Sequence, residues 1–177
     1  MQGISDIYIV AGGNSLRGFD FKRLKNKEII AVNESLHFVP FAQTLVALDK
    51  DFYTRNCIIS DFPNHEIWLK TYTGRMYNDR NVPGTIQIPY HPANNSGFMA
   101  VKLAIEMQPK RIFLLGYDMH RIKYVHFYDN IPIEYSEIWS STKIWIENLE
   151  YDCEIINVCL DSKIEIFPKI SLENLPI

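Results

Sequence analysis

Short, almost wholly apolar runs recur along the chain, each closed by glycine, asparagine or aspartate. Residues 7–11 (IYIVA) stop at Gly12-Gly13, residues 28–32 (EIIAV) at Asn33, residues 44–48 (TLVAL) at Asp49, and residues 111–115 (RIFLL) at Gly116. Runs of this length without polar alternation suit strands buried on both faces, as in parallel sheets. Further strand-length runs lie at 57–59, 67–69, 85–88 and 153–158.

Helix-like segments separate them. A polar stretch follows Asn14-Ser15 and leads to the second run, so the opening of the chain reads strand, glycine turn, helix, strand. A short helix is expected over 34–41. A longer one begins after Asn94-Asn95-Ser96-Gly97, with Phe98, Val101, Leu103, Ala104 and Ile105 forming one apolar face and Pro109 ending it. Residues 133–150 read as a long late helix carrying Tyr135, Trp139 and Trp145. The stretch 51–90 is irregular and reads as a mobile loop region that holds some of the strand candidates. Its polar run at 73–80 includes Arg75 and Arg80, which could reach a phosphate or carboxylate.

Strands alternating with helices predict an α/β fold, here a single Rossmann-like domain over 1–177. Its sheet is expected to be doubly wound and mostly parallel, with helices on both faces. Ligands of such sheets sit at the carboxyl ends of the strands, where Gly12, Gly13, Asn33, Asp49, Gly116, Tyr117 and Asp118 fall. Two segments suit an anion: Gly12-Gly13-Asn14-Ser15, where glycines admit close backbone approach, and Asn95-Ser96-Gly97 at a helix start. The same residues also make ordinary turns and helix caps.

His120 and His126 follow the strand end at 116–118 and are the candidate bases, with Asp118 or Asp129 placed to orient an imidazole. Asp49 and Asp118 could hold Mg²⁺, but no compact ligand motif accompanies them, and no residue is assigned as a metal ligand.

Composition narrows the partners. Hydrophobic residues make up 47% of the 177-residue chain and aromatics 13%, enough for a substantial core. A net charge of −3 gives no global attraction to nucleic acid or to an anionic membrane. Cys57, Cys153 and Cys159 match neither a zinc ribbon nor a Cys-x-x-Cys pair and read as reduced thiols. The first residues lack a signal-peptide pattern, and no apolar run approaches the ~20 residues of a membrane span. A cytoplasmic protein without membrane contact is expected, with the aromatic late helix offering a surface for a homo-oligomer.

The two anion-type segments together resemble the bacterial lipooligosaccharide sialyltransferase family. That family carries a pattern like A-G-N-G-P-S-L-K-x-x-D-Y-x-R-L before a strand ending in Asn, and here residues 11–24 read AGGNSLRGFDFKRL, followed by Ala31-Val32-Asn33. A later family pattern, T-S-G then Ala, a strand and Gly-Ile-Asp with an aromatic, is matched by Asn95-Ser96-Gly97, Ala104 and Leu115-Gly116-Tyr117-Asp118-Met119-His120. The core is also similar to hydroxymethylpterin diphosphokinase-like proteins and to short phage-encoded proteins.

The resemblance implies a crevice for a cytidine nucleotide-sugar. Gly12, Gly13 and Ser15 would form its first loop and Asn33 the second strand end. Ser96 and Gly97 would supply the helix start, and Asp118 and His120 the later strand end. Three departures accompany it: Gly12 stands where the family has Asn, His120 where it has an aromatic, and residues 135–142 contain no histidine where the family's general base is expected. The expected function is a nucleotide or nucleotide-sugar binding protein acting as a glycosyltransferase-like transferase. The alternative is a non-catalytic or phosphoester-cleaving binder of a nucleotide-derived signal, such as a phage-encoded sequestering protein in the host cytoplasm.

Overall fold

The structure is a computed structural model that describes residues 5–47, 66–70, 85–88, 95–119, 126–128, 144 and 146–177. Its strands are β1 (Asp6–Val10), β2 (Glu28–Val32), β3 (Thr44–Ala47), β4 (Glu66–Lys70), β5 (Thr85–Ile88), β6 (Arg111–Leu115) and β7 (Glu154–Asn157), with helix α1 (Ser96–Glu106) between β5 and β6. They form one sheet in the order β5-β4-β3-β2-β1-β6-β7, and every pairing is parallel. This is the α/β Rossmann-like architecture that the alternating runs predict. The region 51–90, expected to be a loop, supplies β4 and β5 to the sheet, at the runs already marked as strand candidates.

Burial on both faces explains the apolar runs. Ile7, Ile9 and Ala11 of the β1 segment pack with Ile30, Ile112, Leu114 and the α1 residues Phe98, Val101 and Ala104. Tyr8 and Val10 face the other way, with Ile29, Ala31, Phe113 and Leu115. Strands with two buried faces cannot alternate with polar residues without burying unpaired polar groups.

That second face differs from expectation. No helix follows the glycine turn: residues 14–27 form two short 3-10 turns, Asn14–Leu16 and Phe21–Leu24. Gly18 at φ 82° and Asn26 at φ 67° break the chain into left-handed corners, and Asp20 caps the second turn by accepting from the Lys22 amide at 3.1 Å. Leu16 and Leu24 are the buried anchors. Likewise the helix expected at 34–41 is a 3-10 turn, Asn33–His37. The carboxyl-terminal tail also packs on this face, where Leu175 is buried in the core and the Pro176 carbonyl accepts from the Tyr8 hydroxyl at 2.7 Å.

Of the late helix, residue 144 and residues 146–147 are helical, and Ile146 enters the core. Tyr135, Trp139 and Trp145, the run at 57–59, and Arg75 and Arg80 lie outside the described residues. Among those described, no helix is long and apolar enough to cross a membrane.

Candidate functional site

The strand order reverses between β1 and β6: the chain steps outward from β1 to β5, then returns to β1's other edge. A crevice opens at such a reversal, beyond the carboxyl ends of the two strands, because the following connections diverge. Here those ends are Gly12–Ser15 and Gly116–Asp118.

The two loops are stitched together by alternate groups. The Ala11 amide donates to the Leu115 carbonyl at 2.9 Å, the Gly13 amide to the Gly116 carbonyl at 3.0 Å, and the Ser15 amide to Asp118 Oδ2 at 2.8 Å. Gly13 has polyproline-II angles, φ −59° and ψ 147°. The amides of Gly12 and Asn14, which alternate with those of Ala11, Gly13 and Ser15, donate no hydrogen bond among the described residues.

Gly13 and Gly116 are glycines for a packing reason. A Cβ on Gly13 would stand 2.3 Å from the Gly116 oxygen, and Gly116, at φ 75°, would place one 2.8 Å from the Gly13 nitrogen. Backbone meets backbone there, and neither can yield.

Asp118 is buried and turned onto Ser15, whose hydroxyl donates to Oδ1 at 2.5 Å while its amide donates to Oδ2. His120 lies outside the described residues, and the carboxylate expected to orient a histidine grips the glycine loop. The buried Cys159 thiol lies beside this pair: burial first, then the Asp118 charge, push it up to about 11, with Ser15 working in the opposite direction.

His126 covers the other side of the loop. The neighbouring Phe127 amide donates to the Gly12 carbonyl at 2.9 Å, which seats the 126–128 segment on the glycine turn. A Cβ at position 12 would lie 2.6 Å from His126 Cδ2 and 3.1 Å from the Tyr128 hydroxyl. The imidazole occupies the space that a side chain at position 12 would need. It stacks on the Tyr128 ring at 4.9 Å with an interplanar angle of 8°, and Tyr128 in turn stacks on Phe38 at 5.9 Å.

The second anion-type segment lies at the start of α1. Asn95 is the cap, its Oδ1 accepting from the Phe98 amide at 2.8 Å. That frees the Ser96 hydroxyl to donate to Asn33 Oδ1 at 2.9 Å, joining α1 to the end of β2. Asn33 sits at φ 51°, a left-handed conformation that asparagine tolerates and that turns the chain off the sheet beside the glycine loop. The Tyr117 hydroxyl donates to the Gly97 carbonyl at 2.9 Å, joining α1 to β6, and burial raises its phenol pKa.

Gly12, Gly13, Asn14, Ser15, Asn33, Asn95, Ser96, Gly97, Gly116, Tyr117, Asp118 and His126 are thus linked around three strand ends and one helix start. His120 and Asp49 lie outside the described residues, as does Asp129. Sequence reasoning missed Cys159 and the packing role of Phe127 and Tyr128. Cys159 follows the last strand run, which as a strand-end position was the available signal; nothing in the pattern marks 127 and 128. No group of three or more His, Cys, Asp or Glu side chains that could hold a metal ion occurs among the described residues.

No protein-family model matches the sequence, and no curated protein sequence does. Two solved structures share the fold. The first is the MAf glycosyltransferase from Magnetospirillum magneticum AMB-1, with TM-score 0.66 and 13% identity over 100% of this chain. The chain spans 35% of that protein's length. The second is the sialyltransferase CstII from Campylobacter jejuni in complex with a substrate analogue, cytidine-5'-monophosphate, with TM-score 0.64 and 16% identity over 97% of this chain and 86% of the other. The fold of this chain is that of these glycosyltransferases.

Proposed function

We propose that the crevice between β1 and β6 binds a nucleotide or nucleotide-sugar and that the protein is a glycosyltransferase-like transferase. The observation that carries this reading is that the Gly12 and Asn14 amides of the strand-end loop donate to no described residue, beside a β2 end joined to the start of α1 by the Ser96–Asn33 contact. Amide donors of a glycine loop and an 11-residue helix start on one rim suit a phosphate group. The fold shared with two glycosyltransferases supports the choice of chemistry.

In this reading the acceptor hydroxyl gives its proton to the His126 imidazole and its oxygen forms a bond to the anomeric carbon. The bond from that carbon to the phosphate oxygen breaks, and its electron pair leaves on the phosphate. The loop and helix-start donors stabilise the charge that develops there. A second reading, a binder without turnover, is favoured by residues 135–142, which contain no histidine where the resembled family's general base is expected.

A thermal-shift panel of nucleotides and nucleotide-sugars, followed by mass spectrometry of each stabilising ligand after incubation, tests both. A ligand at 100 times its dissociation constant adds ~2.7 kcal/mol of stability. Cleavage or transfer of the sugar supports the transferase, stabilisation without turnover the binder, and no stabilisation by any nucleotide refutes the site.

A further inference from the structure

The carbonyl of Tyr117, two residues past β6, accepts two side-chain hydrogen bonds. Ser162 Oγ donates at 2.7 Å and Asn157 Nδ2 at 3.2 Å, and the same Nδ2 donates to Ser162 Oγ at 2.9 Å. The next carbonyl, that of Asp118, accepts from the Lys163 amide at 2.9 Å. Ser162 is itself held: its oxygen Oγ accepts from the Ile164 amide at 3.1 Å, and its carbonyl accepts from Lys169 Nζ at 2.6 Å. The segment is then tied back to β7, where the Asn157 amide donates to the Pro168 carbonyl at 2.9 Å and the Ile170 amide to the Asn157 carbonyl at 3.0 Å.

Asn157 and Ser162 are both buried, and Asn157 Oδ1 has no hydrogen-bond partner among the described residues. An unsatisfied buried acceptor is unfavourable, and apolar side chains would fill the same space without it. What the arrangement secures is the direction of one carbonyl at the end of β6. From there the path continues into the candidate site: Asp118 grips Ser15, and the Gly13 amide, held by the Gly116 carbonyl, fixes the glycine loop between them.

We propose that residues 157–170 form a positioning strap in which Ser162, braced by Asn157 and Lys169, sets the Tyr117–Asp118 loop and, through Asp118 and Ser15, the backbone of the glycine loop. Ser162 is a positioning residue and touches no ligand. The ligand half of its test rests on the nucleotide reading above; the other half does not.

Amide hydrogen exchange is measured on the wild type, Ser162→Ala and Lys169→Met. Lys169 is only partly buried, so its variant is expected to stay folded even where Ser162→Ala does not, and a cooperative urea transition checks it. The strap predicts that protection at the Gly13 and Ser15 amides, which contact neither altered side chain, falls about ten-fold or more while that of β2 and β3 holds, as local opening requires. A uniform fall across the sheet, or unchanged protection at Gly13 and Ser15, overturns the proposal.

In parallel, cytidine-5'-monophosphate is titrated by calorimetry. A loss of affinity in Ser162→Ala that Ser162→Thr restores supports the strap, and unchanged affinity in a folded Ser162→Ala counts against it. If the wild type does not bind this probe, the nucleotide reading loses support, and the exchange measurement still decides the strap.

Discussion

Gly13 and Gly116 lie backbone against backbone, the Gly13 amide 3.0 Å from the Gly116 oxygen and the space for a Cβ on Gly13 closing to 2.3 Å from that same oxygen. Adding one methyl group forces the first and sixth strand ends apart. Gly13→Ala is therefore expected to destabilise the fold by about 1–3 kcal/mol or more, the usual penalty for overpacking against atoms that cannot move. Urea unfolding measures it. A midpoint equal to the wild type would mean that the two loops slide past each other freely.

Gly12 makes the opposite case. Its nearest neighbour is the His126 ring, a side chain that can rotate, so Gly12→Ala is expected to keep stability within about 1 kcal/mol while displacing the imidazole. In the transferase reading that displacement slows turnover, and His126→Ala slows it by about 10²–10⁴ with nucleotide affinity nearly unchanged. Full activity in both variants, on a substrate that the wild type demonstrably turns over, would move the base elsewhere.

The contrast between these glycines shows what a sequence can carry. Gly12-Gly13 is legible as a strand-end turn because a glycine pair after an apolar run has few other uses, and the parallel sheet is legible because its runs never alternate. Which glycine meets side chains and which meets another loop's backbone was not legible, since that depends on Gly116, about a hundred residues later in the chain. Asp118 was placed correctly at a strand end, but its partner, Ser15, comes from a different crossover. The helix expected after Ser15 failed for a local reason. Gly18 and Asn26 take left-handed angles, and Asp20 caps a new turn between them, signals that hydrophobic spacing alone outweighed.

Alkaline pH gives a further test. The Cys159 thiol ordinarily titrates at 9.0, and burial with the Asp118 charge pushes it up to about 11 in the folded protein. The folded state thus holds this proton more tightly than the unfolded chain does. Its contribution to stability is complete below the unfolded value and is lost as pH rises from there through the folded value. Cys153 and the phenols of Tyr8 and Tyr117 are also raised, chiefly by burial, and act in the same direction. Unfolding free energy should fall with pH above about 9, at no more than ~1.4 kcal/mol per pH unit for each such group. Cys159→Ala should flatten that slope; equal slopes in the two proteins would show that the thiol titrates alike in both states.

Asn95 caps α1 by accepting from the Phe98 amide, and the Ser96 hydroxyl donates to Asn33 Oδ1. Ser96→Ala should therefore leave the helix start intact and cost about 0.5–1.5 kcal/mol of stability, the worth of one neutral hydrogen bond. Its larger consequence falls on Asn33, whose side-chain oxygen loses the donor that holds it between the second strand and α1. If the rim formed by Asn33, Ser96 and the Gly12 and Asn14 amides receives a phosphate or ribose, affinity should fall by more than stability does, because a loosened Asn33 must be ordered again on binding. Ser96→Thr, which keeps the hydroxyl, should recover most of both. Calorimetric titration with the ligand identified by the thermal-shift panel, beside urea unfolding of the same variants, separates the two effects. Stability lost without any change in affinity would reduce the Ser96–Asn33 contact to a brace between strand and helix and take both residues out of the site.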